Sequence, residues 1–487
     1  MNKKYLKWLL KERKIALIFF LFLYIAVALV GSSYGDGFRW YSISERTMVF
    51  SMILAYVLPL ITFSYVHNRQ STDVRFALPV SRREMCITQI VFCAGINFLF
   101  WFVTTVLGLL FSGGIDLIFF LDLTGHTLLW ITAVTVMNTL FFLTANNLTD
   151  GIIMTAAYNV LPAVCLSAAE EFFVNLIAGS TYASLHLDFS WLSPLASGIA
   201  NENVLIDFVA GKTHEGFSLF YVCVLIVYVL LGCLGLYHHF VRRKTERADQ
   251  ISDDIMAYPA IIHIYLVLSM IFIASNSAFD LSSSLISWLV LLIIYVIAMF
   301  VYKRRIALTP KILGIYAACA VIVLALGQAA VMTKGFGIPL QYHTFEKDYY
   351  TCTYNFNANR HGSLDQPSDS NIAYVSFAVS IPKAEKDQYA ELLEILERNR
   401  KANIEAFYDR KNHEEQWHGQ LIFADSDLPV TSDQDYYYGA VNSDYEYHVY
   451  VPFTEAELKT ISKYRTIYVY TDDGNHMTVE EYFEKRK

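Results

Sequence analysis

Hydrophobic residues along this chain gather into long, nearly unbroken runs, with polar residues in short islands between them. Nine runs are candidate membrane spans by apolar length: Ile15–Val30, Met48–Tyr65, Ile87–Phe111, Thr127–Thr144, Ile152–Ala168, Phe217–Tyr237, Ala260–Ala274, Leu285–Tyr302 and Ile312–Val331. The third and sixth are the clearest, and the fifth and seventh are short. From about residue 340 the period changes. Ile372–Ile381 alternates, with Val375, Phe377, Val379 and Ile381 on one face, and reads as a strand. Pro382 opens a helix to about Tyr408, with Tyr389, Leu392, Leu393, Leu396, Ile404 and Phe407 as its apolar stripe. Leu421–Ala424, His448–Phe453 and Thr466–Tyr470 read as further strands. Thr454 and Glu457 have the spacing of a capping box for a short helix. The expected fold is an α-helical polytopic membrane protein with about nine transmembrane helices and a C-terminal α+β soluble domain.

Composition agrees with that division. The 487 residues are 55% hydrophobic and 17% charged, with a mean hydropathy of +0.37. The net charge of −8 conceals two different halves. Residues 1–331 carry 21 Lys+Arg against 19 Asp+Glu, and residues 332–487 carry 16 against 26. No basic footprint for nucleic acid exists. Of the seven cysteines, six lie in or beside apolar runs and Cys352 stands alone in the acidic part, so no disulfide framework or zinc spacing is present.

Charge also orients the spans. With the N-terminus inside, the inner segments hold 18 of the 21 basic residues before position 332; the outer ones hold Arg39, Arg46 and Lys212. Nine spans then place the C-terminal domain outside a cell membrane. Met1–Lys14, with Lys3, Lys4, Lys7, Lys11, Arg13 and Lys14 interleaved with Tyr5, Trp8, Leu9 and Leu10, reads as a basic amphipathic segment on the inner face.

The island from Asp73 to Glu84 is the most informative. Arg75, Arg82 and Arg83 do not belong in lipid, so the segment reads as an inner loop. Pro79, after Leu78, breaks any helix arriving from the N-terminal side. Ser81 starts the next helix, with Glu84 at capping-box spacing. Further on, the stretch from Glu170 to Ile177 is too short to cross the membrane again and is expected to turn back near the outer surface. There Glu170 and Glu171 are either an outer gate or solvated carboxylates at headgroup level. Asn97 and Asn138, deep in spans three and four, are read first as helix–helix hydrogen bonders.

A basic amphipathic start, six spans, a charged inner loop between spans two and three and an outer turning stretch before span six together resemble an ABC-2 type exporter permease. The run Leu78–Glu84, Leu-Pro-Val-Ser-Arg-Arg-Glu, is similar to the loop that such permeases of Gram-positive bacteria carry there. The resemblance covers about residues 1–245, making these a six-span permease core, 246–331 three additional helices and 332–487 an extracytoplasmic acidic domain. It implies that Asp73, Arg75, Leu78, Pro79, Ser81, Arg82, Arg83 and Glu84 belong to a loop that forms a coupling helix docking on a separate ATPase subunit. It also implies a second permease subunit. No G-x-x-x-x-G-K-[ST] occurs, so ATP hydrolysis is expected on another chain, and no cofactor is expected here. The alternative is a membrane-anchored sensor or binding protein without transport.

The acidic domain offers little chemistry. Asp425, Asp427, Asp433, Asp435 and Asp444 could suit a calcium ion, but starting at Asp433 the EF-hand pattern fails at Tyr437 and Tyr438. His413 and His418 are five apart, not the four a helical zinc motif needs, although Glu414 sits between them. Tyrosines 436, 437, 438, 445, 447 and 450 are either ligand contacts or ordinary strand residues.

Overall fold

A computed structural model describes residues 2–30, 40–112, 117–179, 192–196, 219–244, 246, 248, 250, 252, 256–279, 284–303, 306, 309–340, 348–357, 372–409, 419–426, 445–448, 453–464, 467–471, 476–478, 481 and 484. The chain divides into two compact units. One comprises Met1–Cys165, Asp188–Tyr265 and Val301–Arg304; the other comprises Leu166–Leu187, Leu266–Phe300 and Arg305–Lys487.

In chain order the helices before the sheet are α1 (Lys3–Glu12), α2 (Lys14–Val30), α3 (Trp40–Phe63), a short α4 (Arg69–Phe76), α5 (Arg82–Ser112), α6 (Leu117–Thr144), α7 (Leu148–Leu176), α8 (Leu219–Leu236), α9 (Tyr258–Ser277), α10 (Leu285–Lys303) and α11 (Pro310–Met332). Among the described residues, eight of them are long and apolar enough to cross a membrane, with α2 a shorter apolar helix beside them. This is the make-up of a helical polytopic membrane protein, and each expected span falls on one of these nine helices. The fifth span is expected to end at Ala168, but the helix does not break there. α7 runs on through Glu170 and Glu171 as one helix of 29 residues, about 43 Å long. Phe172 and Leu176 keep its apolar repeat against Ala278 and Ala330, and the helix stops only where Gly179 takes a positive φ of 83°. The expected turn-back therefore does not begin at 169, and residues 180–191 and 197–218, where it would continue, lie outside the described residues.

In the first unit α6 is the most enclosed span. Gly232 and Gly235 of α8 let that helix approach α6 closely: a Cβ at Gly235 would come within 2.6 Å of Leu140. Buried amides and hydroxyls tie the helices together. Tyr24 donates to Asn97 Oδ1 at 2.6 Å and pairs with Ser51 Oγ at 2.6 Å. Asn97 Nδ2 donates to the Ser51 carbonyl. One turn further along α3, the Ala55 carbonyl accepts from Asn138 Nδ2 at 3.2 Å, and Asn138 Oδ1 accepts from Asn159 of α7 at 2.7 Å. That second link has a cause in the backbone. Pro59 lies within α3 and has no N–H, so the carbonyl four residues earlier, Ala55, lacks its helical donor. Asn97 and Asn138 are thus helix–helix hydrogen bonders.

In the second unit the α+β domain is a six-stranded antiparallel sheet, order β4-β3-β1-β2-β5-β6. Its strands are β1 (Tyr349–Asn357), β2 (Ile372–Pro382), β3 (Gly419–Ser426), β4 (Tyr445–His448), β5 (Tyr468–Thr471) and β6 (His476–Thr478), with α12 (Ala390–Tyr408) after β2 and α13 (Glu455–Ser462) after β4. Tyr350, Cys352 and Tyr354 join Val375, Phe377, Val379, Ile381, Leu421 and the stripes of α12 and α13 in one core. The central β1 is not among the expected strands; the strand expected at 448–453 meets β4 at His448, and residues 449–452 lie outside the described residues. Thr454 and Glu457 form the full capping box. The last turn of α12 meets three helix ends. Tyr408 Oη accepts from the Ala178 N–H at 3.0 Å and donates to the Leu176 carbonyl at 2.9 Å. Phe407 packs edge-on to Phe279, just past α9, and Glu405 pairs with Lys334, just past α11.

Candidate functional site

The segment between α3 and α5 is not a slack loop. α3 tightens into a 3-10 turn at Ser64–His67, whose Tyr65, Val66 and His67 are buried. Asn68 then caps α4, accepting from the Ser71 N–H at 3.1 Å. Thr72, on the inward side, donates to the carbonyls of Tyr65 and Asn68, both at 2.8 Å. Asp73 to Phe76 are therefore helical, where the residues alone read as a loop; the Asn68 cap is the local reason. α4 ends two residues before Leu78–Pro79, as Pro79 requires. Ser81 accepts from the Glu84 N–H at 3.2 Å and its hydroxyl donates to Glu84 Oε2 at 3.2 Å, so half of the expected box forms.

Arg75 faces inward. Its guanidinium pairs with Glu12 of α1 at 2.6 Å and lies over the rings of Trp8, at 4.9 Å, and Tyr65, at 4.6 Å. Gln89 of α5 accepts from Tyr65 and donates to Tyr5 Oη at 2.9 Å, while the Asn2 N–H donates to Thr88. Burial raises the Tyr5 phenol above its ordinary value, against the pull of Arg75 and Gln89. α1 is thereby fastened to both the α4 segment and the start of α5.

Arg82 is also an internal brace. It lies over the Phe76 ring at 4.3 Å and donates to the Arg243 carbonyl at 2.7 Å. Arg243 in turn is buried at the end of α6, donating to the carbonyls of Leu143 at 2.8 Å and Ala145 at 3.0 Å and to Asn146 Oδ1. Ser252 takes the intervening Thr144 carbonyl. These are the carbonyls that a helix C-terminus leaves without donors, and a cation there also meets the helix dipole.

Of the eight candidate residues, Arg75, Leu78 and Arg82 are partly buried, and Asp73, Pro79, Ser81, Arg83 and Glu84 are exposed. The outward surface also carries Arg69, Gln70, Ala77 and Val74, the last 70% exposed. Sequence reasoning did not single out Glu12, Trp8, Tyr65, Gln89 or Arg243 as parts of this site, because their roles arise from contacts distant in the chain. At the other candidate position, Glu171 accepts from Asn175 Nδ2 at 2.8 Å on its own helix, and Asn175 reaches Asn276 of α9 at 3.4 Å. Glu170 is half-buried.

Among the described residues no group of three or more His, Cys, Asp or Glu could hold a metal ion. His413, Glu414, His418, Asp427, Asp433, Asp435, Asp444, Tyr436, Tyr437, Tyr438 and Tyr450 lie outside the described residues. Compared with protein-family models, curated proteins and solved structures, the chain matches none.

Proposed function

We propose that this chain is the membrane-spanning subunit of an exporter of the ABC-2 kind, energised by a separate ATPase that seats on the outward surface of α4 and of Pro79–Glu84. The observation that carries the reading is the two-sided construction of that segment. Its inner side is braced by Thr72, Arg75 and Arg82 onto α1, α3 and the post-α8 chain, and its outer side leaves Val74 70% exposed among polar residues. An exposed aliphatic side chain on a short, capped, polar helix suits a protein partner. The sequence has no phosphate-binding loop of its own. The charge bias along the chain supports a cytoplasmic position for this side and, with nine spans, an extracytoplasmic one for the α+β domain in a cell membrane. Two such chains, identical or related, form the pathway, and the exported molecule leaves past the end of α7 near Glu170 and Glu171. The test is ATP hydrolysis co-eluting with the tagged full-length chain. Val74→Glu with Arg83→Glu should abolish it without lowering the chain's thermal midpoint; undiminished co-eluting hydrolysis refutes the docking role.

A second reading, a membrane-anchored binding protein without transport, draws on the seating of the last turn of α12 on three helix ends through Glu405, Phe407 and Tyr408. It predicts that no ATPase co-elutes with the full chain.

A further inference from the structure

Five lysines of the first fourteen residues lie on one side of the chain's first helix. Lys3, Lys4, Lys7 and Lys11 of α1 and Lys14 at the start of α2 are all exposed. At helical spacing they occupy one strip about 100° wide. The opposite side, Tyr5 and Leu9, is buried in the helix core. Leu10 borders the strip on one flank and Trp8 on the other, both partly exposed. The strip ends where an apolar surface begins. Arg13 donates to the Leu9 carbonyl and Leu17 to the Arg13 carbonyl, both at 3.0 Å, so the hydrogen-bond ladder passes from α1 into α2 without a loop. α2 then exposes Ile15, Ile18, Phe19 and Phe22, with Ile15 at 77%. Lysines set directly beside an exposed apolar helix, on stems long enough to reach sideways, are placed where a bilayer has its phosphates.

We infer that this strip is a docking surface for anionic phospholipid headgroups, and that lipid seated there holds the α4 segment. Charge complementarity and continuity with the apolar face of α2 choose the occupant. A protein partner would not need its basic surface continuous with lipid-facing side chains. The consequence for α4 follows from the contacts of α1. Glu12 and Trp8 grip Arg75, and Tyr5 and Asn2 grip Gln89 and Thr88. Immobilising α1 on the leaflet therefore immobilises Asn68–Phe76. Each lysine near an anionic surface changes affinity about five-fold, and salt screens the effect.

The experiment needs no ATPase, so its failure is distinct from failure of the transport reading. The full-length chain is equilibrated with equimolar phosphatidylglycerol and phosphatidylcholine, and the retained lipids are counted by mass spectrometry. The wild type should retain phosphatidylglycerol preferentially. K7Q/K11Q should lower that preference roughly 25-fold, and the charge-matched control K383Q/K463Q should leave it unchanged. Amide exchange at 68–76 should slow when phosphatidylglycerol is added to phosphatidylcholine nanodiscs, in the wild type and not in K7Q/K11Q. If the variant folds poorly, a salt titration of the wild type serves: the preference should fall steeply between low and high salt. Equal retention of the two lipids, a preference indifferent to salt, or a folded K7Q/K11Q that keeps the wild-type preference each overturns the proposal.

Discussion

The Pro59 link gives the sharpest test of the membrane interior. Asn138→Leu keeps the volume of a side chain that is 2% exposed but removes two hydrogen bonds, to the Ala55 carbonyl at 3.2 Å and from Asn159 at 2.7 Å. A side-chain hydrogen bond between membrane helices is worth about 0.6 kcal/mol on average, so two bonds account for about 1.2 kcal/mol. The Ala55 carbonyl adds a further cost, because Pro59 cannot supply its helical donor and the group is left unsatisfied, at about 1–3 kcal/mol. The expected loss is about 2–4 kcal/mol. The second perturbation is Pro59→Ala, which returns an N–H to position 59 and lets the carbonyl bond within α3. In that background Asn138→Leu should cost only about 1 kcal/mol. The assay is a double-mutant cycle on the full chain, unfolded in mixed detergent–SDS micelles and followed by far-ultraviolet circular dichroism. A coupling energy of about 1–3 kcal/mol is expected. Equal costs of Asn138→Leu in the two backgrounds would refute the reasoning, because the carbonyl vacated by proline would then not be what Asn138 serves.

Three other perturbations follow from contacts elsewhere in the chain. Arg243→Met strips donors from the carbonyls that end α6 and should destabilise the first unit by about 2–4 kcal/mol, seen as a lowered thermal midpoint; Arg243→Lys should fall between, lacking the planar fork. Tyr408→Phe leaves the Ala178 N–H and the Leu176 carbonyl without their partner, so amide exchange at Ala178 should speed markedly while core amides of β1 and β2 stay protected. At Glu397 burial alone would raise the carboxyl, but hydrogen bonds and charge from Arg400 and the charge of Lys401 hold it below the usual glutamate value. Its folded pKa is depressed, so its contribution is present above the ordinary glutamate value and fades as pH falls through the lower folded one; Glu397→Gln should flatten the acid limb of the domain's stability curve.

The helices were legible because lipid imposes a simple rule: twenty or so apolar residues in succession, whatever they contact. Each expected span sits on a helix, and the edges that missed did so for local reasons. α7 outran its expected end because Glu170 and Glu171 are tolerated on a helix once it is longer than the hydrocarbon is thick. In the α+β domain β2 was readable from its apolar alternation, whereas β1 was not. Its inward residues are Tyr350, Cys352 and Tyr354 and its other face carries Thr351 and Thr353, so little hydropathy contrast marks it. The α4 segment divides the same way. Pro79 and Ser81 are local signals and were read, and Asn68 is another that could have been. The Glu12–Arg75 and Arg82–Arg243 links join residues 63 and 161 positions apart, and no local pattern encodes such a pairing.

That long-range bracing decides which substitutions at the segment are informative. Arg82 and Arg83 are neighbours in sequence with equal charge, and charge reversal at either would look like the same test of docking. The contacts make them different. Arg82→Glu would remove the donor to the Arg243 carbonyl and the cation over Phe76, so a lost partner would follow from a disordered segment as readily as from a lost interface. Arg83 is exposed and its side chain makes no hydrogen bond, ion pair or ring contact among the described residues, and Val74 is 70% exposed. A docking defect from Val74→Glu or Arg83→Glu with unchanged thermal stability therefore reports on the partner surface. A defect from Arg75→Ala or Arg82→Ala with a lowered midpoint reports on the brace. The two pairs should separate cleanly: the first losing co-eluting ATPase at constant stability, the second losing stability first, by about 1–3 kcal/mol for a partly buried charge-assisted contact. If all four lost the partner at unchanged midpoint, Arg75 and Arg82 would be contact residues after all, and the two-sided account of α4 would fail.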